Sequence, residues 1–261
     1  MKRIIFQKLL DFSIKRKKII TNRSFILRLF FNPDMFIQTL FCFLLRWQKK
    51  NFLIKTRTFF GKKMNVVLPE VVSSDIRRFG FIEESVASFI INFGSEGDCL
   101  IDIGAHFGFF SLLMRDIVGE TGSVHSFEPT PSTFFVLEKN IKFESNIFIN
   151  NNAVWNLNTD IELNDYGLSY SAFNSIHESR DNKNNEKVPK KRIKVKALRL
   201  DDYVREHNLV PKLIKIDAES AEYQVLMGMD NILSNFHPLL CIELGDLGIN
   251  GVLSSKKIIE F

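Results

Sequence analysis

The sequence predicts an α/β fold with a doubly wound, mostly parallel sheet, on three observations. Short apolar runs recur between residues 99 and 244 with helix-length segments between them, the alternation that gives parallel strands joined by crossover helices. The first run, Cys99-Leu100-Ile101-Asp102-Ile103, passes directly into a turn carrying Gly104 and Gly108, and then into an apolar helical segment. The second, Ser123 to Phe127, closes on an acid, Glu128, about 20 residues after that turn.

Taken in order, residues 1–63 read as a partly helical extension and residues 64–261 as the main domain. Met1 to Ile20 opens with Lys2 and Arg3, but Gln7, Lys8 and Asp11 break the apolar core that a secretory signal needs. Asn32-Pro33-Asp34 is a helix start, and Met35 to Trp47 after it is apolar nearly all round, too short to span a bilayer. Two readings of that helix stand: one buried against the domain, or one lying on an anionic membrane with Trp47 at headgroup level. Val66 to Val72 is expected as a strand, and an amphipathic helix from Phe81-Ile82-Glu83-Glu84 to about Phe93. The turn helix covers Phe109 to Val118. Thr130 and Pro131 suit the cap and first turn of the next helix, which runs to about Lys142.

Asn146 to Asn150 is the third strand, and Asn151-Asn152-Ala153 leaves it. Ile161-Glu162-Leu163 and Ser169 to His177 belong to a less regular stretch. Residues 179–187 are polar without periodicity, a loop, and Arg192 to Lys196 alternates charge and aliphatic like a solvated edge strand. A short helix begins at Leu200. Leu213 to Ile216 is the fourth strand, a helix runs from about Ala221 to Leu233, and Pro238 to Leu244 is the fifth strand.

The composition is that of a globular chain, 45% hydrophobic and 25% charged. Its charge is divided: residues 1–63 hold 16 Lys and Arg against two Asp, net +14, and the rest is net −9. The leader should therefore attract an anionic partner, and peripheral contact with an anionic membrane through residues 1–63 is one expectation. Cys42, Cys99 and Cys241 have no disulfide or metal-like spacing, which points to a reducing compartment and a cytoplasmic protein, peripheral at the inner face of the membrane if the leader binds there.

The glycine turn followed by an acid at the second strand end suits an adenosine ligand gripped by its ribose. The spacing is Gly-x-x-x-Gly, so the pyrophosphate-binding Gly-x-Gly-x-x-Gly is missing, and S-adenosylmethionine fits better than a dinucleotide. The segments Asp102 to Ser111, Phe127-Glu128-Pro129 and Ile214-Lys215-Ile216-Asp217-Ala218-Glu219-Ser220-Ala221-Glu222 resemble the signature segments of FkbM-type methyltransferases, in the same order. That resemblance implies a class I, Rossmann-like fold that binds S-adenosylmethionine and methylates a hydroxyl, with a glycan or lipid-linked sugar as acceptor. Against such a fold the chain looks C-terminally short. Only Leu253 to Phe261 follows the fifth strand, so the strands that complete the sheet are expected to be lacking, and Leu239 and Cys241 to sit on an exposed edge that invites a homo-oligomer.

The expected cofactor site is Asp102, Gly104, Ala105, His106 and Gly108 at the methionine end, Glu128 on the ribose, and Ala153 near the adenine. Asp217 and Glu219 are the catalytic candidates, Asp217 as base or orienter of the acceptor hydroxyl, since the acids at strand ends face the ligand crevice. Each has a structural alternative: Asp102 as a turn cap, Asp217 as a helix N-cap, Glu219 and Glu222 as acids favoured at a helix start. Glu243 is a fourth strand-end acid. No metal is expected, and only Asp217 with its neighbours could hold one. The rival readings are a catalytically weak or inactive cofactor-binding remnant, a nicotinamide-dependent oxidoreductase, and an RNA methyltransferase, although no basic motif with interleaved aromatics supports nucleic acid.

Overall fold

The structure is a computed structural model that describes residues 2–24, 26, 27, 30, 32–176, 191–244 and 252–260. The chain divides into two compact units, residues 1–92 with 168–172, and residues 93–167 with 173–261.

The first unit contains α1 (Lys2–Thr21), α2 (Pro33–Trp47), a hairpin of β1 (Phe52–Arg57) and β2 (Lys63–Leu68), α3 (Val71–Phe79) and most of α4 (Glu84–Phe93). Pro33 opens α2 as expected, although Asn32 supplies no side-chain cap. The strand expected over Val66 to Val72 ends at Leu68 instead. Glu70 accepts hydrogen bonds from the backbone N–H groups of Val72 and Ser73, capping α3, and Gly80 ends that helix at φ +82°. The boundary expected after residue 63 also moves. It would cut the hairpin, whose register runs from Phe52↔Leu68 to Arg57↔Lys63, so the unit extends to residue 92. Helix α2 is not a buried helix: it turns Gln38, Cys42 and Leu45 inward and leaves most of its large apolar side chains exposed.

The second unit holds the predicted sheet. Its strands are β3 (Cys99–Ile103), β4 (Ser123–Phe127), β5 (Ile147–Asn150), β9 (Pro211–Ile216) and β10 (Leu239–Ile242), all parallel, in the order β5-β4-β3-β9-β10. Two-sided burial explains their near-continuous aliphatic character. Helix α5 (Phe109–Val118) packs on β3 and β4, and α6 (Pro131–Ile141) follows β4. The opposite face is covered by α7 (Leu200–Glu206), α8 (Glu222–Met227) and α9 (Asp230–Phe236), whose Leu200, Tyr203, Val225 and Ile232 join Ile101, Ile103, Phe127 and Ile214 in one core. A short α10 (Ser255–Ile259) adds Ile258 to that core. Among the described residues β10 pairs only with β9.

Two expectations change here. The helix expected from Ala221 to Leu233 is two helices, broken at Gly228-Met229. A side chain at Gly228 would collide with the Trp155 carbonyl, and the Asp201 carboxylate caps the second helix by accepting from the N–H groups of Asn231 (3.1 Å) and Ile232 (3.0 Å). The supposed edge strand is the centre of a second sheet. β8 (Lys191–Leu198) pairs antiparallel with β7 (Thr159–Asp165) and parallel with β6 (Ala153–Val154), and the alternation marks a sheet with one solvated face. The polar stretch 179–187 lies outside the described residues, as does all of 177–190.

His125 of β4 is a polar group inside the covered face. It is 3% exposed, stacks on Phe148, lies 2.9 Å through Nδ1 from the Tyr203 hydroxyl and has His207 as its charged-capable neighbour. Burial first, and His207 second, lower its pKa to about 4. The folded state therefore refuses a proton that the unfolded chain binds below pH about 6.5, so His125 costs stability progressively as pH falls from there to about 4. Relative to His125→Gln, the wild-type chain is expected to lose about 3 kcal/mol over that window, read from urea midpoints at each pH. Parallel stability–pH curves for the two proteins would refute this.

Candidate active site

The sheet reverses its order between β3 and β9, and open α/β sheets bind ligands in the crevice beyond the carboxyl ends at such a point. Every predicted strand-end acid arrives there. In register, Ile103 lies beside Ile216, which sets Gly104 next to Asp217, while Glu128 and Glu243 continue β4 and β10.

The turn after β3 is shaped by close packing. Gly104 (φ +74°) has no room for a Cβ, which would overlap the backbone oxygen of Asp217. A Cβ on Gly108 (φ +88°) would come within 2.6 Å of Leu137. Neighbouring protein thus excludes a side chain at both glycines. Ala105 is buried, and its N–H donates to the Phe127 carbonyl at 2.9 Å. His106 adopts φ +49°, lies tilted against the Phe107 ring and has its pKa lowered to about 4, by burial above all, with Asp217 opposing and Lys215 assisting.

Beneath the turn lies a buried polar chain. Ser126 Oγ donates to Ser111 Oγ (2.9 Å), which donates to Asp102 Oδ2 (2.6 Å). The other Asp102 oxygen faces Lys215 Nζ at 3.4 Å, an ion pair between residues 0% and 2% exposed. Asp102 thus holds the turn from below, close to its turn-cap alternative, and has no surface left for a ligand. Lys215 reaches further: 3.2 Å to Asp217 Oδ2, 3.2 Å to the Gly104 carbonyl, and 5.3 Å to the centre of the Phe110 ring. Sequence reading passed over Lys215 as a strand residue. The available signal was a lysine between aliphatics in a strand covered on both faces, where a cation must have a partner.

Asp217 is half-buried. Burial is the largest single influence and raises its pKa, but the Lys215 ammonium, a hydrogen bond with Glu243 and the nearby His106 together outweigh it, and the carboxyl ends below its ordinary value. Glu219 and Ser220 follow at φ +47° and +78°, held in the left-handed region by Glu222, whose Oε1 accepts from the N–H groups of Ala218 and Ser220 at 3.1 Å each. Glu222 therefore organises the loop. Oxygens of Asp217, Glu219 and Glu243 lie within 4.8 Å of one another, the one group with metal-like spacing among the described residues.

Glu128 is 6% exposed and holds the facing loop: Oε2 accepts from the His106 N–H (3.0 Å) and Oε1 from the Thr130 N–H (2.9 Å). Burial raises its pKa to about 7 against those hydrogen bonds. Asn151 donates to the Glu128 carbonyl at 2.8 Å, and Asn174 donates to Thr130 Oγ1 at 3.2 Å, so Asn174 braces the same loop. Ala153 is a packing position, its methyl group among Leu163, Val195 and Ala197 in the second sheet, with no side-chain surface for an adenine. A separate pocket of about 420 Å³, lined by Val204, Leu209 and Phe236 among others, opens at the amino ends of β9 and β10 and takes no part in this site.

The family model described as "Methyltransferase FkbM domain" matches residues 102–254, more than half of the chain and the whole of this site. The chain belongs to the FkbM methyltransferase family. The cofactor of such an enzyme is S-adenosylmethionine, and the site leaves room for it: Glu128 uses three of roughly four acceptor positions on its carboxylate, for the His106 and Thr130 N–H groups and the Thr130 side chain, so one is left for a ribose hydroxyl.

Solved structures similar to parts of this FkbM chain include a putative rRNA-methylase from Clostridium thermocellum, 12% identical over 56% of this chain and 61% of that one, with a TM-score of 0.31. A SAM-dependent O-methyltransferase from Thermotoga maritima is 24% identical over 38% of this chain and 40% of that one, TM-score 0.26. Fibrillarin from Aeropyrum pernix, solved with natively bound S-adenosyl-L-methionine, is 27% identical over 23% and 26%, TM-score 0.22. The chain spans less than two thirds of the length of each, and overlaps this partial carry no functional weight. No curated protein matches the chain.

Proposed function

We propose that this FkbM-family chain is an O-methyltransferase that moves the methyl group of S-adenosylmethionine to a hydroxyl of a glycan or lipid-linked sugar. The observation that carries the reading is Asp217, a half-buried carboxylate kept ionised by Lys215 at the point where the sheet order reverses, beside the Gly104 turn. Bound there, S-adenosylmethionine supplies an electrophilic methyl group. The protein's part is to place the acceptor oxygen in line and to receive its proton. An alcohol proton becomes acidic only as its oxygen acquires the methyl group, so a carboxylate with a lowered pKa can still take it at that moment. Until then Asp217 accepts a hydrogen bond and orients the hydroxyl. Lys215 fixes the carboxylate through Oδ2, and Asp217 would meet the acceptor hydroxyl with acceptor positions that Lys215 leaves open. Glu219, on the left-handed turn next to Asp217, would line the acceptor side.

The carboxylate of Glu128 is assigned to the ribose. Calorimetric titration with S-adenosylhomocysteine, and separately with NAD, distinguishes this reading from a nicotinamide-dependent oxidoreductase. Binding of the first and not the second is expected, and the reverse result would overturn the reading. Glu128→Ala is expected to weaken S-adenosylhomocysteine by about 1–3 kcal/mol, the range for losing a hydrogen bond to a charged group. Unchanged affinity in a variant that melts normally would remove the ribose assignment.

A further inference from the structure

Helix α2 is built inside out. Its inward residues are Gln38, which donates to the Ser74 carbonyl at 3.2 Å, Cys42 and Leu45, the last two packed against Leu68. Its outward residues are Ile37, Leu40, Phe41, Phe43, Leu44 and Trp47, between 38% and 76% exposed. At 100° per residue these six occupy one arc of about 160° that contains no charged side chain of the helix. Phe52 of β1, 57% exposed, extends the arc by edge contact with Phe41 at 6.1 Å. Monomeric proteins rarely leave so many large apolar side chains together on one face, so this arc has an occupant.

Charge identifies it. Lys49 and Lys50 stand exposed just past the carboxyl end of α2, within a segment of 16 Lys and Arg against two Asp over residues 1–63. Aliphatic and aromatic side chains flanked by lysines, with a tryptophan at the border, match the boundary between headgroups and acyl chains of an anionic bilayer. Among the described residues no helix is long and apolar enough to cross a membrane, and α2 is about 22 Å long against roughly 30 Å of hydrocarbon, so it would lie in the surface. We propose that α2 and the start of β1 form an interfacial anchor that seats this protein on an anionic membrane, its apolar arc among the acyl chains and its lysines on the phosphates. The inference rests on the first unit alone and stands whatever the acceptor proves to be.

The test is co-sedimentation of the full chain with vesicles of phosphatidylcholine alone or mixed with phosphatidylglycerol, read together with tryptophan emission. The sequence has two tryptophans, and Trp47→Phe identifies the signal from the exposed one. Binding to the anionic vesicles is expected, with a blue shift that Trp47→Phe abolishes, and only partial release by salt. Phe43→Glu with Leu40→Glu, both at exposed positions, should weaken binding at least about tenfold with no loss of thermal stability, since each removes a side chain worth more than 1.4 kcal/mol when buried. Lys49→Gln with Lys50→Gln should weaken it severalfold at low salt only. Absence of binding would overturn the proposal. So would binding that salt abolishes and the glutamate pair leaves unchanged. A lipid-independent dimer dissolved by the glutamate pair would assign the arc to a second copy of this chain and overturn it equally.

Discussion

Lys215→Met is expected to destabilise the protein by about 3–5 kcal/mol, enough to unfold many single domains of this size. The ammonium sits 2% exposed between Asp102 Oδ1 at 3.4 Å and Asp217 Oδ2 at 3.2 Å. Removing it leaves Asp102, 0% exposed, as a charge with the Ser111 hydroxyl as its only remaining side-chain partner among the described residues. Burying a charge unpaired costs far more than a lost surface salt bridge, which is why the effect is large. Methionine matches the length of the lysine stem, so the loss isolates the charge. A second change sharpens the test. In the Asp102→Asn, Lys215→Met double variant the unpaired charge is gone, and more than half of the lost stability should return. Denaturation by urea reads both. A single variant within about 1 kcal/mol of wild type would show that the pair is not what holds the turn.

The parallel sheet was legible almost to the residue, because strands buried on both faces must be apolar and must stop where the chain turns polar. Cys99 to Ile103, Ser123 to Phe127 and Phe109 to Val118 all run as the pattern requires. The convergence of Asp102, Glu128, Asp217 and Glu243 on one end of the sheet was legible too, since Asp102 lies one residue before the end of its parallel strand and each of the others follows directly on one. What each acid does there was not. Periodicity places a side chain on a face and says nothing of its partner. Asp102 and Lys215 pair across β3 and β9 only because the register sets them side by side, with nothing in either segment alone to announce it. The break at Gly228 depends on a carbonyl 73 positions earlier, at Trp155, and on a cap from Asp201. The outward turn of α2 was hidden for the opposite reason: a helix apolar nearly all round carries little information about which side faces in.

The strictest position in the site is Gly104. Gly104→Ala is expected to cost at least about 4 kcal/mol, above the range of ordinary substitutions, and to abolish binding of S-adenosylhomocysteine in any fraction that folds. Two terms add. The first is backbone conformation: φ is +74°, where a Cβ costs about 1–2 kcal/mol. The second is space. The new methyl group would occupy the volume of the Asp217 backbone oxygen, at the end of a strand pinned on both sides by β3 and β10. A side-chain neighbour could rotate away, but a strand carbonyl cannot. Relief requires parting the ends of β3 and β9, which lengthens the bond from the Asp217 N–H to the Ile103 carbonyl, now 3.2 Å. It also pulls the Gly104 carbonyl from Lys215, so the damage passes to the ion pair and to the Asp217 carboxylate it orients. Gly167→Ala supplies the control: φ there is +76°, and an added Cβ meets nothing within 4 Å. It bears the first term without the second and should cost only about 1–2 kcal/mol. Equal losses for the two variants in urea denaturation would mean that backbone conformation alone selects glycine at 104, and that the closeness of β3 and β9 is not what shapes the turn.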